Sequence, residues 1–152
     1  MKSNKQMKKK QGVEKMSRAA TKDNYTYLSQ KPGLQLIKAG SYETKELNTI
    51  LGIPEVKSQI LDIPITANEN AATVGLYAMQ EAEKGFDFKY DFLEMKTVVT
   101  GKFVLSDDQG NSFTAEAGDV VIINPGTTVT FHGESDGTAV YVAHRLPEPT
   151  FA

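Results

Sequence analysis

The chain of 152 residues has no cysteine and only two histidines, His132 and His144. The missing cysteines exclude disulfides, thiolate catalysis and cysteine-based zinc sites. A metal site of three histidines is excluded too, because two cannot supply it. No apolar run approaches the roughly 20 residues that span a bilayer, and the basic amino terminus lacks the apolar stretch of a secretory signal. These absences predict a cytoplasmic protein with no membrane partner.

Motifs of several catalytic classes are also missing. The sequence contains neither common type of glycine-rich phosphate loop, no Gly-x-Ser-x-Gly elbow and no His-Glu-x-x-His pair. The motifs therefore do not support a nucleotide-binding enzyme, a serine hydrolase or a zinc protease.

Positive charge is concentrated at the amino terminus. Residues 1–22 carry eight lysines and arginines and one glutamate, a balance of +7, which leaves −9 on the other 130 residues within a net charge of −2. This acidic body matches a nucleic-acid backbone poorly, so we expect no nucleic-acid partner. Residues 1–24 are polar, which predicts a disordered, solvated tail. Alternatives are a docking peptide that folds on a partner, or a segment that binds nucleic acid or an acidic membrane.

Residues 25–152 are predicted to form a single domain that begins with a short mixed region. Thr44–Gly52 indicates a helical turn ended by glycine. Ile60–Ile65 indicates a strand interrupted by Pro64, which we expect at a sheet edge. From residue 73 onward, short runs of β-branched and aromatic residues alternate with turn sequences, a pattern typical of an all-β sandwich or barrel. The predicted strands are Thr73–Met79, Phe86–Tyr90, Leu93–Val99, Lys102–Ser106, Ser112–Ala115, Asp119–Ile123, Thr127–His132 and Thr138–His144.

The stretch that ends at Gly101 resembles the first cupin motif. That motif has six residues between a glutamate and a glycine, and Glu94 and Gly101 have this spacing. Its paired histidine positions then fall at Phe88 and Tyr90. The resemblance implies a cupin barrel in which one glutamate of the usual metal ligands is kept.

The stretch from Gly118 to Val129 resembles the second cupin motif. Gly118 and Gly126 match its glycines, Asn124 takes the proline position, and Val129 takes the histidine position. The resemblance implies an all-β, cupin-type double-stranded β-helix, or jelly-roll barrel, with its core motifs at about 73–147. The loss of the histidines argues against a metal-dependent oxygenase, and we expect neither metal nor cofactor.

Within the cupins, residues 75–147 are most similar to the ethanolamine-utilisation protein Q family. The similar segments are Tyr90–Glu94, Gly118-Asp119 and Tyr141–Pro147, whereas Lys96 stands where an acidic residue would be usual. The resemblance implies a protein that binds a small metabolite in its barrel, or a partner, in an amine-utilisation or microcompartment pathway. It also implies a homodimer and a basic tail that docks on microcompartment proteins. The alternative is an enzyme, either acetate-kinase-like or a small-molecule isomerase or lyase.

Strand alternation places Glu94, Lys96 and Val98 on one face, and in cupins the motif glutamate points into the barrel. One interpretation is an internal Glu94–Lys96 ion pair that fixes the strand register. The other is a polar cluster that binds a small anion or amine, with Lys96 as a base if burial lowers its pKa. An open cluster would favour ligand binding or catalysis, and a sealed cluster a structural role.

The catalytic candidates are Tyr90, Glu94 and Lys96, and His144 joins them as a ligand-binding candidate. Tyr90 can pair with Glu94 through its hydroxyl, which needs a partner if buried. His144 lies on the last strand and faces either into the pocket or away from it. A weak metal site of Glu94 with His132 or His144 is the remaining metal alternative.

Overall fold

The computed structural model describes residues 25–152, so the predicted tail at residues 1–24 lies outside the described part of the chain. No helix among the described residues is long and apolar enough to cross a membrane. The elements are β1 Lys45–Glu46, α1 Leu47–Leu51, β2 Lys57–Pro64, β3 Thr73–Gln80, β4 Phe86–Tyr90, β5 Glu94–Asp107, β6 Ser112–Glu116, β7 Val120–Ile123, β8 Thr127–Phe131 and β9 Asp136–Ala143.

The antiparallel sheet is curled into a jelly roll around the 14-residue strand β5. The sheet order is β1-β2-β3-β9-β5-β8-β4, and β6 and β7 both pair with β5. The first half of β5 pairs with β7 and β9, and its second half pairs with β6 and β8. One strand therefore belongs to both layers, and the all-β fold agrees with the sequence.

Two of the predicted strands are in fact one. Leu93–Val99 and Lys102–Ser106 merge into β5, which carries a register shift between Val98 and Thr100. Gly101 follows with a φ of 66°, and a Cβ there would lie 2.0 Å from the carbonyl oxygen of Asp136. Glycine lets the chain bend here without breaking the ladder, so the break predicted between two strands is a bulge inside one strand.

The amino-terminal third follows the sequence prediction with one change. Helix α1 ends at Gly52, whose left-handed φ of 69° gives the predicted glycine stop. The predicted strand Ile60–Ile65 corresponds to the second half of β2, and Pro64 ends it rather than interrupting it. The expected position at the sheet edge is not observed. β2 is second in the sheet, because the two residues of β1 pair along its outer side.

Aromatic side chains fill the space between the two layers. The rings of Phe86 and Phe131 stack with centroids 5.0 Å apart, and Tyr77 lies 5.7 Å from both Phe103 and Phe131. These residues are buried on the inward faces of their strands, as period-2 alternation requires. Their bulk leaves little free volume inside the barrel.

The segment after β9 closes one end of the barrel. Its last turn folds back onto β2, where the amide of Asp62 donates to the carbonyl of Phe151 at 2.9 Å. The Phe151 ring is buried against the core, and the Lys45 ammonium donates to the carbonyl of Ala152. This closure decides whether solvent can reach the barrel interior.

Candidate functional site

The structure brings three of the four predicted site residues together inside the barrel. Glu94 and Lys96 are each 3 % exposed, and Tyr90 is 4 % exposed. Glu94 and Lys96 lie two residues apart on the inward face of β5, and Lys96 Nζ is 3.5 Å from Glu94 Oε2. The internal ion pair expected from strand alternation is therefore present, and the cluster is buried.

Three aromatic rings surround the Lys96 ammonium. Its Nζ lies 4.5 Å from the ring centroid of Tyr77, 4.9 Å from that of Phe131 and 5.3 Å from that of Tyr141. The rings come from three strands, β3, β8 and β9. Each distance is within the roughly 6 Å at which a cation is attracted to the face of a ring. We call Tyr77, Phe131, Tyr141 and the Glu94 carboxylate the ammonium cage.

Burial shifts the protonation equilibria of the cluster. Desolvation lowers the pKa of Lys96, and the neighbouring Glu94 charge opposes that shift in part. The pKa of Tyr90 is raised well above its usual value, first by burial and then by the Glu94 charge. Tyr90 therefore stays a neutral phenol, which suits a hydrogen-bond donor better than a base.

The cluster keeps one unsatisfied atom. Glu94 Oε2 is buried and accepts no hydrogen bond from the described residues, although Lys96 lies at ion-pair distance. A buried carboxylate oxygen without a donor is costly. The cavity beside it has a volume of about 20 Å³, which is room for about one water molecule.

A second buried ion pair, absent from the sequence prediction, lies at the same end of the barrel. Arg145 donates to both carboxylate oxygens of Asp62 through its two terminal nitrogens. Asp62 also accepts from the Tyr141 hydroxyl at 2.5 Å and from the Glu148 amide at 2.8 Å. The Arg145 guanidinium stacks 4.7 Å from the Phe92 ring centroid. One signal could have found this pair, because Asp62 stands between apolar residues in a strand and a buried carboxylate needs a cation.

Neither histidine joins the cluster. His144 is exposed immediately after β9, because strand alternation turns Ala143 inward and His144 outward. The hypothesis that His144 shares the pocket with Glu94 therefore has no geometric support. His132 is half-buried just after β8, where its Nε2 lies 2.7 Å from the Ser106 hydroxyl.

The positions that hold metal in other cupins do not fit a metal here. Phe88, Tyr90 and Val129 stand at the histidine positions, and the remaining Glu94 carboxylate faces an ammonium and aromatic rings. Among residues 25–152 no three histidines or carboxylates lie close enough together to hold a metal ion. This donor set offers one carboxylate, already paired with Lys96, whereas a metal site needs three or four protein ligands.

A larger opening lies between strands β6 and β7, which are not paired with each other. This edge cleft has a volume of about 330 Å³. Its lining is apolar at Leu105, Phe113 and Val129, and polar at Asp107, Asn124 and Thr127. No sequence pattern indicated the cleft, because it depends on how far two unpaired strands separate.

Comparison with known proteins places the chain among the cupins. In the solved structures, the EutQ protein of Clostridium difficile is 21 % identical, with a TM-score of 0.60 over 72 % of this chain and 78 % of that one. A putative ethanolamine utilization protein q from Salmonella typhimurium is also 21 % identical, with a TM-score of 0.62 over 78 % of this chain and 92 % of that one. An RmlC-like cupin from Shewanella frigidimarina is 14 % identical, with a TM-score of 0.53 over 77 % and 94 %. These likenesses confirm the cupin fold.

The sequence itself matches a family model over almost its whole length. No curated protein matches the chain. The model of the ethanolamine utilisation protein EutQ family, however, matches residues 3–147, which include both cupin motifs. The chain therefore belongs to the EutQ family of ethanolamine utilisation proteins.

Proposed function

We propose that this ethanolamine-utilisation cupin acts by binding, and not by catalysis at Tyr90, Glu94 and Lys96. One observation carries the proposal: the cluster is buried, with only about 20 Å³ of free space beside it. Catalysis needs a reactant about 3–3.5 Å from the catalytic groups. No organic substrate fits that volume beside the Lys96 side chain.

The edge cleft between β6 and β7 is the better place for a small metabolite. Its volume of about 330 Å³ falls within the range of about 300–1,000 Å³ that ligand pockets usually have. Apolar side chains together with carboxylate, amide and hydroxyl groups in the lining suit a short carbon chain with one or two polar ends. Small amines, diols and carboxylates of an amine-utilisation pathway have this chemistry.

A partner surface is the second part of the proposal. On the outer face of the sheet, Met95 pairs with Ile122 and with Val142, and Val120 and Val140 flank Thr97 in the next row. These five apolar side chains are all exposed and form one patch. The patch supports a homodimer, and the basic residues 1–22 support docking on an acidic surface such as a microcompartment protein.

An enzyme is the alternative, and two features of the cluster favour it. Glu94 Oε2 has no donor among the described residues, and burial lowers the pKa of Lys96 toward that of a usable base. Both features would serve catalysis only if the end of the barrel opened. An acetate-kinase-like or isomerase reaction therefore requires movement of the segment that carries Phe151.

Binding of ethanolamine, acetate and 1,2-propanediol to matched variants separates these alternatives. Phe113→Ala removes a wall of the cleft, and Val99→Ala is its control, because the two residues are 49 % and 53 % exposed but only Phe113 lines the cleft. We expect Phe113→Ala to lose the thermal shift that a probe causes, and Val99→Ala and Glu94→Gln to keep it. If Glu94→Gln is the only variant that loses the thermal shift, the binding site lies inside the barrel and not in the cleft. No shift with any probe would contradict the metabolite part of the proposal.

A further inference from the structure

The Lys96 ammonium has the surroundings of a bound ligand. A lysine ammonium or a ligand cation is attracted to aromatic ring faces within about 6 Å, and proteins recognise quaternary ammonium ligands with cages of such rings. Lys96 Nζ has three rings at 4.5 to 5.3 Å and the Glu94 carboxylate at 3.5 Å. A simple buried ion pair needs no rings, so the cage goes beyond what fixing the strand register requires.

The cage is built without help from Lys96. Its rings stand on β3, β8 and β9, and they also pack on one another and on the rest of the core, as Tyr77 does on Phe103 and Phe131. Glu94 is held by its own position in β5, whose ladder continues on both sides. Truncating Lys96 would therefore leave an empty cage rather than a collapsed one.

The Lys96 ammonium also stands farther from Glu94 than a hydrogen bond requires. A charge-assisted hydrogen bond from an ammonium to a carboxylate is about 2.7–2.9 Å long, but Lys96 Nζ stands 3.5 Å from Glu94 Oε2. That oxygen accepts no hydrogen bond from the described residues, although its side chain is only 4 % exposed. A free ammonium in the cage is not anchored to β5 and can close this gap.

We propose that the barrel interior is a recognition site for a small primary alkylammonium, which this chain keeps filled with its own Lys96 side chain. The proposal concerns the interior and stands apart from the edge cleft and from the function assigned to it. The ligand must be cationic, because without Lys96 the Glu94 charge would be buried uncompensated. It must also be short, because the space available is that of the lysine stem and about 20 Å³ beside it.

Removing the Lys96 side chain tests this proposal directly. Lys96→Ala leaves the Cβ in place, so propylammonium has the atoms that were removed, and propan-1-ol is the uncharged probe of the same length. We expect propylammonium to raise the melting temperature of Lys96→Ala by about 4 °C for each tenfold rise in concentration above its dissociation constant. Propan-1-ol should have no such effect. The wild type and Lys89→Ala, which removes an exposed lysine, should not respond to either probe.

Two outcomes of the titration overturn the proposal. One is an equal response of Lys96→Ala to propylammonium and propan-1-ol, and the other is an equal response of the variant and the wild type to propylammonium. If the variant does not fold alone, the same two probes are compared during refolding from urea, where selective recovery with propylammonium is expected. Recovery with neither probe, or with both alike, overturns the proposal.

The wild type allows a test that does not depend on whether a variant folds. Three ring faces near Nζ should shift the Cε methylene protons of Lys96 upfield by ring currents, away from the position shared by exposed lysines. A Lys96 methylene signal at the ordinary lysine position would show that the cage is not formed in solution, and would overturn the proposal.

Discussion

Two buried ion pairs lie in one barrel and differ in how fully they are hydrogen-bonded. The Asp62 carboxylate accepts bonds from Arg145, the Tyr141 hydroxyl and the Glu148 amide. In the Glu94–Lys96 pair, Glu94 Oε2 accepts no hydrogen bond from the described residues, and the Lys96 ammonium packs against aromatic rings. Both pairs carry a desolvation cost, and only the first is offset by a complete set of donors. A satisfied pair fixes structure, whereas an unsatisfied one marks a place where a ligand could improve on the native contacts.

The largest effect is expected from breaking the satisfied pair. Asp62→Ala leaves Arg145 mostly buried and unpaired and frees the segment after β9, so the free energy of unfolding should fall by about 3–5 kcal/mol. Urea unfolding measures the loss. Asp87→Ala is the control. Asp87 is exposed, and its carboxylate accepts a hydrogen bond from the Thr130 hydroxyl. Equal effects of the two variants would show that the Asp62 network does not hold the barrel closed.

The unsatisfied pair should cost less to break, and the cost should be recoverable. Lys96→Met leaves the buried Glu94 carboxylate without its nearest cation, and we expect a loss of about 2 kcal/mol, because breaking this pair removes no hydrogen bond from Glu94 Oε2. Adding Glu94→Gln removes the stranded charge and should restore most of the stability. A double variant as unstable as the sum of the single variants would mean that the two side chains do not interact.

Alkaline pH should weaken the barrel through its buried phenols. Burial raises the pKa of Tyr90 above its ordinary value of 10, so above about pH 10 the unfolded chain loses a proton that the folded chain keeps. Stability is therefore complete below pH 10 and falls as the pH rises beyond it. In unfolding measurements above pH 10, Tyr90→Phe should reduce the loss of unfolding free energy by about 1.4 kcal/mol per pH unit. An unchanged slope would place Tyr90 in contact with solvent.

The smallest effect is expected from metal ions. Because Glu94 is paired with Lys96 and aromatic residues surround it, zinc, nickel and iron(II) salts should shift the melting temperature by less than about 1 °C. A metal-dependent shift that disappears in Glu94→Gln would contradict the account of the ligand positions.

Sequence patterns predicted the parts of the fold that depend on local chemistry. Alternation along β5 correctly turned Glu94 and Lys96 inward, and Gly52 correctly ended α1. The glycine of the bend was also recognised, but Gly101 could not show whether a turn or a bulge results. That outcome depends on the approach of Asp136 from β9, 35 positions away in the chain.

The candidate site was predicted less well, because its character is set by non-local packing. The sequence could not show that Phe151 folds back to close the barrel, or that Asp62 and Arg145 meet across 83 residues. It also left the direction of His144 open, since the register of the last strand decides which face that residue occupies. Each of these facts depends on contacts between distant segments.

The central claim is that the Tyr90–Glu94–Lys96 cluster is closed, and lysine acetylation of the folded protein tests it most directly. Mass spectrometry after brief treatment with acetic anhydride should find the exposed Lys57, Lys89 and Lys102 modified and Lys96 protected until the protein is unfolded. Modification of Lys96 at the rate of the surface lysines would contradict the claim. It would show an accessible interior and return the cluster to consideration as a catalytic site.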